Sequence, residues 1–198
     1  MKRRLILCDL DGTLYDTGPV NLDSYRRALA EEGVVLEAGD FQKYGLGGHY
    51  RDFLPRLAPS LSRESIERVH QRKTELYAAC LVWARENTGL FRRLEALRED
   101  CWLAIVTTAS RACTSALLAH FGRTDFFDLI VCGEDVRRSK PDPEGFLTAM
   151  AHFGIEAANT TVYEDSPAGL AAARASGARV LKVTFPDLDS GPADPPTG

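Results

Sequence analysis

Three aspartates fall within eight residues in the stretch CDLDGTLYDT, Cys8 to Thr17, directly after the apolar run RLILC. Side chains alternate along an extended chain, so Asp9 and Asp11 face one way and Leu10 the other. Two carboxylates on one side repel each other unless a cation neutralises them, and hard oxygen donors without His or Cys suit Mg²⁺. A carboxylate kept ionised beside a metal can attack phosphorus, while a second one, slightly removed, gives and takes protons. Asp9 is the candidate for the first role and Asp11 for the second. Gly12 permits the tight turn that a phosphate-cradling loop requires, and Thr13 adds a hydroxyl.

Such a pair needs partners delivered by other parts of the chain. Strand-like apolar runs ending in polar residues recur at 4–11, 102–108, 128–135, 161–165 and 178–183. Near-continuous apolar strands separated by helical patterns indicate a parallel sheet covered on both faces. The helices between them have readable ends: Ser110 to Gly122, Asp142-Pro143 to Gly154, and Ser166-Pro167 to Gly177, with capping residues at the start and glycine at the stop. In an open sheet of this kind ligands sit outside the carboxyl ends of the strands. Those ends carry Asp9 and Asp11, Thr107 and Thr108, Lys140, and Glu164 with Asp165. Lys140 and the threonines would face phosphoryl oxygens, and Asp165 would join the metal carboxylates.

Between Leu14 and about Thr88 there is no convincing buried strand, far beyond an ordinary connection. This stretch reads as helices. One ends at Gly33, and another carries Ile66, Val69, Lys73, Leu76, Tyr77, Cys80, Leu81 and Ala84 at helical spacing. The expected architecture is therefore α/β: a Rossmann-like parallel sheet core with helices on both faces and an inserted α-helical cap domain. The core is assigned to 1–15 and 88–185, the cap to 16–87, and a flexible tail rich in Pro, Gly and Asp to 186–198.

Composition narrows the partners. The 198 residues carry 24 basic and 28 acidic side chains, a net charge of −4, which argues against nucleic acid or an anionic membrane. No run approaches the ~18 apolar residues of a membrane span, and the run after MKRR stops at Asp9, too short for a signal peptide. The five cysteines are scattered and never spaced C-x-x-C, as expected of reduced core residues in a cytoplasmic protein. Cys8, between Leu7 and Asp9, reads as core filling. A small phosphorylated metabolite needs only a local basic pocket, and the protein is expected as a monomer or weak dimer.

Four motifs in order, DLDGT (9–13), IVTTAS (105–110), SKPDPEGF (139–146) and YEDSPAGLAAARASG (163–177), resemble the haloacid dehalogenase-like superfamily over the core from Arg4 to about Val183. The resemblance implies an aspartyl-phosphate on Asp9, acid/base work by Asp11 with its backbone carbonyl on Mg²⁺, phosphate binding by Thr107 and Lys140, and a metal carboxylate at Asp165. It makes Glu164 a support for metal-bound water. An aspartate at position 11 implies oxygen-ester chemistry, and the insertion is similar to the class I caps of phosphoglycolate phosphatases, sugar-phosphate phosphatases and β-phosphoglucomutases. A phosphomutase is the alternative; Ser110 stands where resembling mutases carry a lysine. A phosphoryl-accepting receiver module is a third reading, but its acceptor aspartate lies on a later strand. Within the cap, Lys73 interrupts an apolar stripe and Arg51 sits in the Gly-rich stretch GLGGHYRDFL. Each is a candidate substrate contact set against an ordinary solvated or snorkelling side chain. His49 has no visible partner and is given no role.

Overall fold

Residues 4–8 and 101–106 are apolar at nearly every position, and each successive side chain belongs to a different core. The computed structural model describes residues 2–45 and 50–185. From β1 (Arg4–Cys8), Leu5 and Leu7 enter one cluster and Ile6 and Cys8 another. From β4 (Cys101–Val106), Ala104 and Val106 go with the first pair and Leu103 and Ile105 with the second. With β5 (Leu129–Val131), β6 (Thr160–Glu164) and β7 (Arg179–Lys182) these strands form one parallel sheet in the order β5-β4-β1-β6-β7. The pattern is that of a sheet buried on both faces.

The covering helices begin and end where their local chemistry says they should. Ser110 accepts the Cys113 N–H at 3.2 Å ahead of α6 (Arg111–His120), and Ser166 accepts the Gly169 N–H at 3.0 Å ahead of α8 (Pro167–Ala175). For α7 (Glu144–Phe153), Asp142 accepts the Glu144 N–H at 3.0 Å. Gly122, Gly154 and Gly177 follow with φ of 66°, 65° and 81°, the left-handed region that stops a helix. Helices α7 and α8 cover the Leu5/Leu7 face; α5 (Thr88–Leu97) and α6 cover the other.

Among the described residues, the segment between β1 and α5 holds four α-helices, α1 (Gly18–Glu31), α2 (Ala38–Tyr44), α3 (Tyr50–Leu57) and α4 (Arg63–Cys80). They enclose a core of their own, built on Tyr25, Leu29, Phe41, Phe53, Leu54, Ile66 and Val69. The apolar stripe of α4 is buried at Ile66, Val69, Tyr77 and Cys80, with Lys73 among them; Leu76 is half-buried, and Leu81 and Ala84, expected on the same helix, lie beyond its end. One element was not expected from the sequence. A two-stranded antiparallel ribbon, β2 (Tyr15–Asp16) with β3 (Arg85–Glu86), carries the chain out of the core and back. Two-residue strands have no periodicity to read. The 186–198 tail and His49 lie outside the described residues.

Arg123 holds the ribbon to the core through a forked pair with Glu86, 2.9 and 3.1 Å. Tyr15 is fully buried beside it, its ring 4.9 Å from Phe121 and 5.5 Å from Phe91. Its hydroxyl has no hydrogen-bond partner among the described residues. An unpaired buried hydroxyl costs free energy. Tyr15→Phe is therefore expected to raise the unfolding free energy by about 1 kcal/mol in urea denaturation; a clear loss would show that the hydroxyl is satisfied.

Candidate active site

Position 1 in the strand order is not at an edge: β1 lies in the middle of the sheet, between β4 and β6. The carboxyl ends of these three strands therefore converge. Asp9 continues β1 by one residue, its N–H donating to the Tyr163 carbonyl at 2.9 Å. Thr107 continues β4, donating its N–H to Val131, and Glu164 ends β6 with Asp165 next.

Lys140 reaches into this convergence. Its ammonium donates to Asp9 Oδ1 at 2.5 Å, to Glu164 Oε2 at 2.8 Å and to the Val106 carbonyl at 2.9 Å. Burial alone would lower the Lys140 pKa, but Asp9 and then Glu164 outweigh it and hold the ammonium above its usual value. Asp9 is pushed up by burial, against the pull of Lys140, with Glu164 and Asp165 adding to the rise. Burial also raises Asp165, to about 6, while the Thr13 hydroxyl bond opposes it.

Glu164 is wholly buried and its oxygens are fully engaged. Oε1 accepts the N–H groups of Asp165 (3.0 Å) and Ser166 (3.1 Å) and the Ser166 hydroxyl (3.0 Å); Oε2 takes Lys140. A Cβ at position 169 would fall 1.8 Å from Oε2, so only glycine lets α8 start this close. Asp9, Glu164 and Asp165 can each offer one oxygen within 4.8 Å of the others, a donor set that fits a hard divalent cation. Both Glu164 oxygens already have donors, whereas Asp9 and Asp165 each have a side-chain donor at Oδ1. The Asp11 carboxylate stands outside this group; the resemblance assigned it through its backbone carbonyl.

A model of the haloacid dehalogenase-like hydrolases matches residues 6–183. The chain belongs to that family. It is 29% identical over 194 residues to a phosphorylated carbohydrates phosphatase of Thermotoga maritima, covering 95% of this chain and 88% of that protein. It is 32% identical over 195 residues to protein CbbY of Rhodobacter capsulatus, covering 91% and 85%. The crystal structure of CbbY from Rhodobacter sphaeroides in complex with phosphate has a TM-score of 0.81 at 26% identity, over 91% of this chain and 85% of that one. As a haloacid dehalogenase-like hydrolase, the chain has a parallel α/β core of the kind its motifs led us to expect.

Between the core and the helical insertion lies a cleft of about 630 Å³. Asp9, Asp11, Gly12, Thr108, Lys140 and Asp165 line its floor, and Arg51 and Lys73 its far side. Gly12 has φ 87°, and a Cβ there would meet Asp165 Oδ2 at 2.3 Å. Asp11 Oδ1 accepts the Thr17 hydroxyl and, at 3.5 Å, the Asn21 amide. Asp16 is set apart from these, paired with Arg85 across the ribbon at 3.4 Å. Asn21 was not singled out from the sequence; its signal is its place one helical turn beyond Thr17.

Two of the expected phosphate contacts, Thr13 and Thr107, make hydrogen bonds within the protein. Thr13 is fully buried and donates its hydroxyl to Asp165 Oδ1 at 2.8 Å, so it orients a carboxylate. Thr107 is also buried, and its Oγ1 accepts the Ala109 N–H at 3.0 Å, leaving Thr108 to line the cleft. Alternation at a strand's last residue depends on where pairing stops, which the sequence does not mark. Lys140 is already spent on protein oxygens and acts first as the counter-ion of Asp9.

On the far side, Arg51 is forked onto Glu67 at 2.8 and 3.4 Å, and Tyr50 donates its hydroxyl to the same carboxylate at 2.7 Å. Lys73 is 7% exposed, with its ammonium 4.4 Å from the Tyr77 ring centroid and 5.3 Å from that of Tyr25. It lies 3.9 Å from Cys113 Sγ, and among the described residues no carboxylate pairs with it. All five cysteines are buried and unpaired, Cys8 included. No helix among the described residues is long and apolar enough to cross a membrane.

Removing the ammonium leaves Asp9 and Glu164 buried without a counter-charge. Lys140→Met should lower the unfolding free energy at pH 7 by about 3 kcal/mol. The loss should shrink toward pH 5, because Asp9, already pushed up by burial, can then take up a proton. Urea denaturation of metal-free protein at both pH values checks this.

Proposed function

We propose that this chain is a Mg²⁺-dependent phosphatase that hydrolyses a small phosphate monoester, a sugar phosphate or phosphoglycolate-like metabolite. The observation that carries this reading is the Asp9 carboxylate, pinned by Lys140 at 2.5 Å and facing the cleft beside Asp165. Asp9 and Asp165 would hold Mg²⁺, with the Asp11 backbone carbonyl. When bound, the cation supplies positive charge to the phosphoryl oxygens and to the clustered acids.

In the first half-reaction an Asp9 oxygen bonds to phosphorus as the ester P–O bond breaks, and the leaving oxygen takes a proton from the Asp11 carboxyl. In the second, the Asp11 carboxylate removes a proton from water, whose oxygen attacks phosphorus and breaks the bond to Asp9. Thr108 and backbone N–H groups would bind the phosphoryl oxygens, and Glu164 would orient the site through Lys140 and the Asp165 N–H. Residues 16–87, with their own core and two narrow crossings at β2 and β3, would serve as a cap that closes over the substrate and reopens for water.

Lys73 is the cap residue best suited to touch substrate, being buried, charged and turned to the cleft. Arg51 could do so by exchanging Glu67 for the substrate. Hydrolysis is favoured over phosphoryl return because Ser110, at the position where a mutase lysine is expected, is committed to capping α6. The buried, unpaired cysteines suit a reducing cytoplasm.

Asp9→Asn is expected to abolish magnesium-dependent phosphate release from 4-nitrophenyl phosphate, and retained activity would overturn the assignment. Lys73→Met should raise KM for an anionic sugar phosphate about tenfold, or ~1.4 kcal/mol, with a smaller change on the aryl ester. Steady-state kinetics on a panel of phosphorylated metabolites measures both substrate class and this difference.

A further inference from the structure

Asn87 stands one residue past β3, where the insertion returns to the core, and is 4% exposed. Its side-chain amide donates to the Thr13 carbonyl at 2.9 Å, and its backbone N–H donates to the Leu14 carbonyl at 2.9 Å. Its Oδ1 accepts the Leu90 N–H at 3.0 Å, and its carbonyl accepts the Phe91 N–H at 3.0 Å. Two bonds thus grip the loop after Asp9 and Asp11, and two cap the first turn of α5. The amide orientation follows from its partners: a carbonyl needs the NH₂ and an N–H needs the oxygen, so the opposite assignment would set oxygen against oxygen.

Thr13 passes this restraint on. Its hydroxyl donates to Asp165 Oδ1 at 2.8 Å, and the neighbouring Gly12 lies so close that a Cβ would strike the same carboxylate. The ribbon before Asn87 is itself held by the Arg123–Glu86 fork. A continuous line of bonds therefore runs from the return limb of the insertion to the Asp165 carboxylate. Serine or aspartate at position 87 could still cap α5, but a carboxylate has no proton to give the Thr13 carbonyl, and serine replaces the two polar atoms of the longer amide with the one oxygen used as the cap.

We propose that Asn87 is a positioning residue: through Thr13 it sets the orientation of Asp165 for a divalent cation and ties that carboxylate to the limb on which the insertion moves. The inference rests on the metal-dependent reading above. Groups that orient metal ligands typically change affinity ~10–100-fold when removed.

The test uses Asn87→Ser and Asn87→Asp in the full chain, with Mn²⁺ alone as probe and free Mn²⁺ read by electron paramagnetic resonance. Both variants, and Thr13→Val, should bind Mn²⁺ about tenfold more weakly than wild type. Slow amide hydrogen exchange at Leu90 and Phe91 should persist in the Asn87 variants, showing that α5 is still capped. Loss of phosphate release by the wild type counts against the phosphatase reading, whereas this inference is decided by the difference in Mn²⁺ affinity between variants and wild type. Wild-type affinity in Asn87→Ser and Asn87→Asp would reduce Asn87 to a helix cap and overturn the proposal.

Discussion

Lys140 lies between Asp9 and Glu164 with its ammonium 2.5 and 2.8 Å from their oxygens, and Asp165 stands beside them. If all four groups are ionised, one positive charge faces three negative ones in a place largely shut off from water. Burying an uncompensated carboxylate is costly enough that a protein must supply donors, a cation or a proton. Here Glu164 is met by donors from Lys140, Asp165 and Ser166, and Asp165 by Thr13. Asp9 keeps an unusual position, held on one side by Lys140 and open to the cleft on the other. The rest of the molecule can be understood as what brings these four side chains together and keeps them there.

The sheet does most of that work. Because β1 is central, residues distant in sequence arrive at one edge on adjacent strands: Asp9 on β1, Glu164 on β6, and the threonines after β4. Parallel pairing makes all three strands end on the same side, and the glycines at 12 and 169 allow the backbone to come within contact distance of the acids. The insertion contributes from above. Thr17 and Asn21 hold Asp11, so the two neighbouring carboxylates are restrained by different parts of the chain, Asp9 by the core and Asp11 by the start of the helical insertion. That separation gives two similar side chains different surroundings.

Much of this was legible in the residues. Central strands covered on both faces must be apolar, so β1 and β4 stand out; helices that stop in a left-handed residue announce it with glycine. Asp9, Asp11, Lys140, Glu164 and Asp165 could be assembled because each lies at or beyond the carboxyl end of a strand. Other features left no such mark. Thr107 and Thr108 are equivalent in sequence, and only the point where β4 stops pairing with β5 decides which hydroxyl turns to the cleft. Thr13 looked like a phosphate contact because nothing local shows that Asp165, far along the chain, takes its hydroxyl. Asn87 looked like a boundary, and Arg51 like a substrate contact or a solvated arginine, for the same reason.

The sequence by itself determined the α/β class, the order of the strands' acidic and basic ends, and the family, because those depend on local periodicity and short motifs. Tertiary structure alone decided which hydrogen bonds each polar group spends, since a donor's partner is set by distance in space and not by separation along the chain. It also showed that Lys73 is a buried ammonium facing the cleft while Arg51 is already paired. Residue type tells what a side chain can bind; only the packed fold tells which of those capacities is still unused.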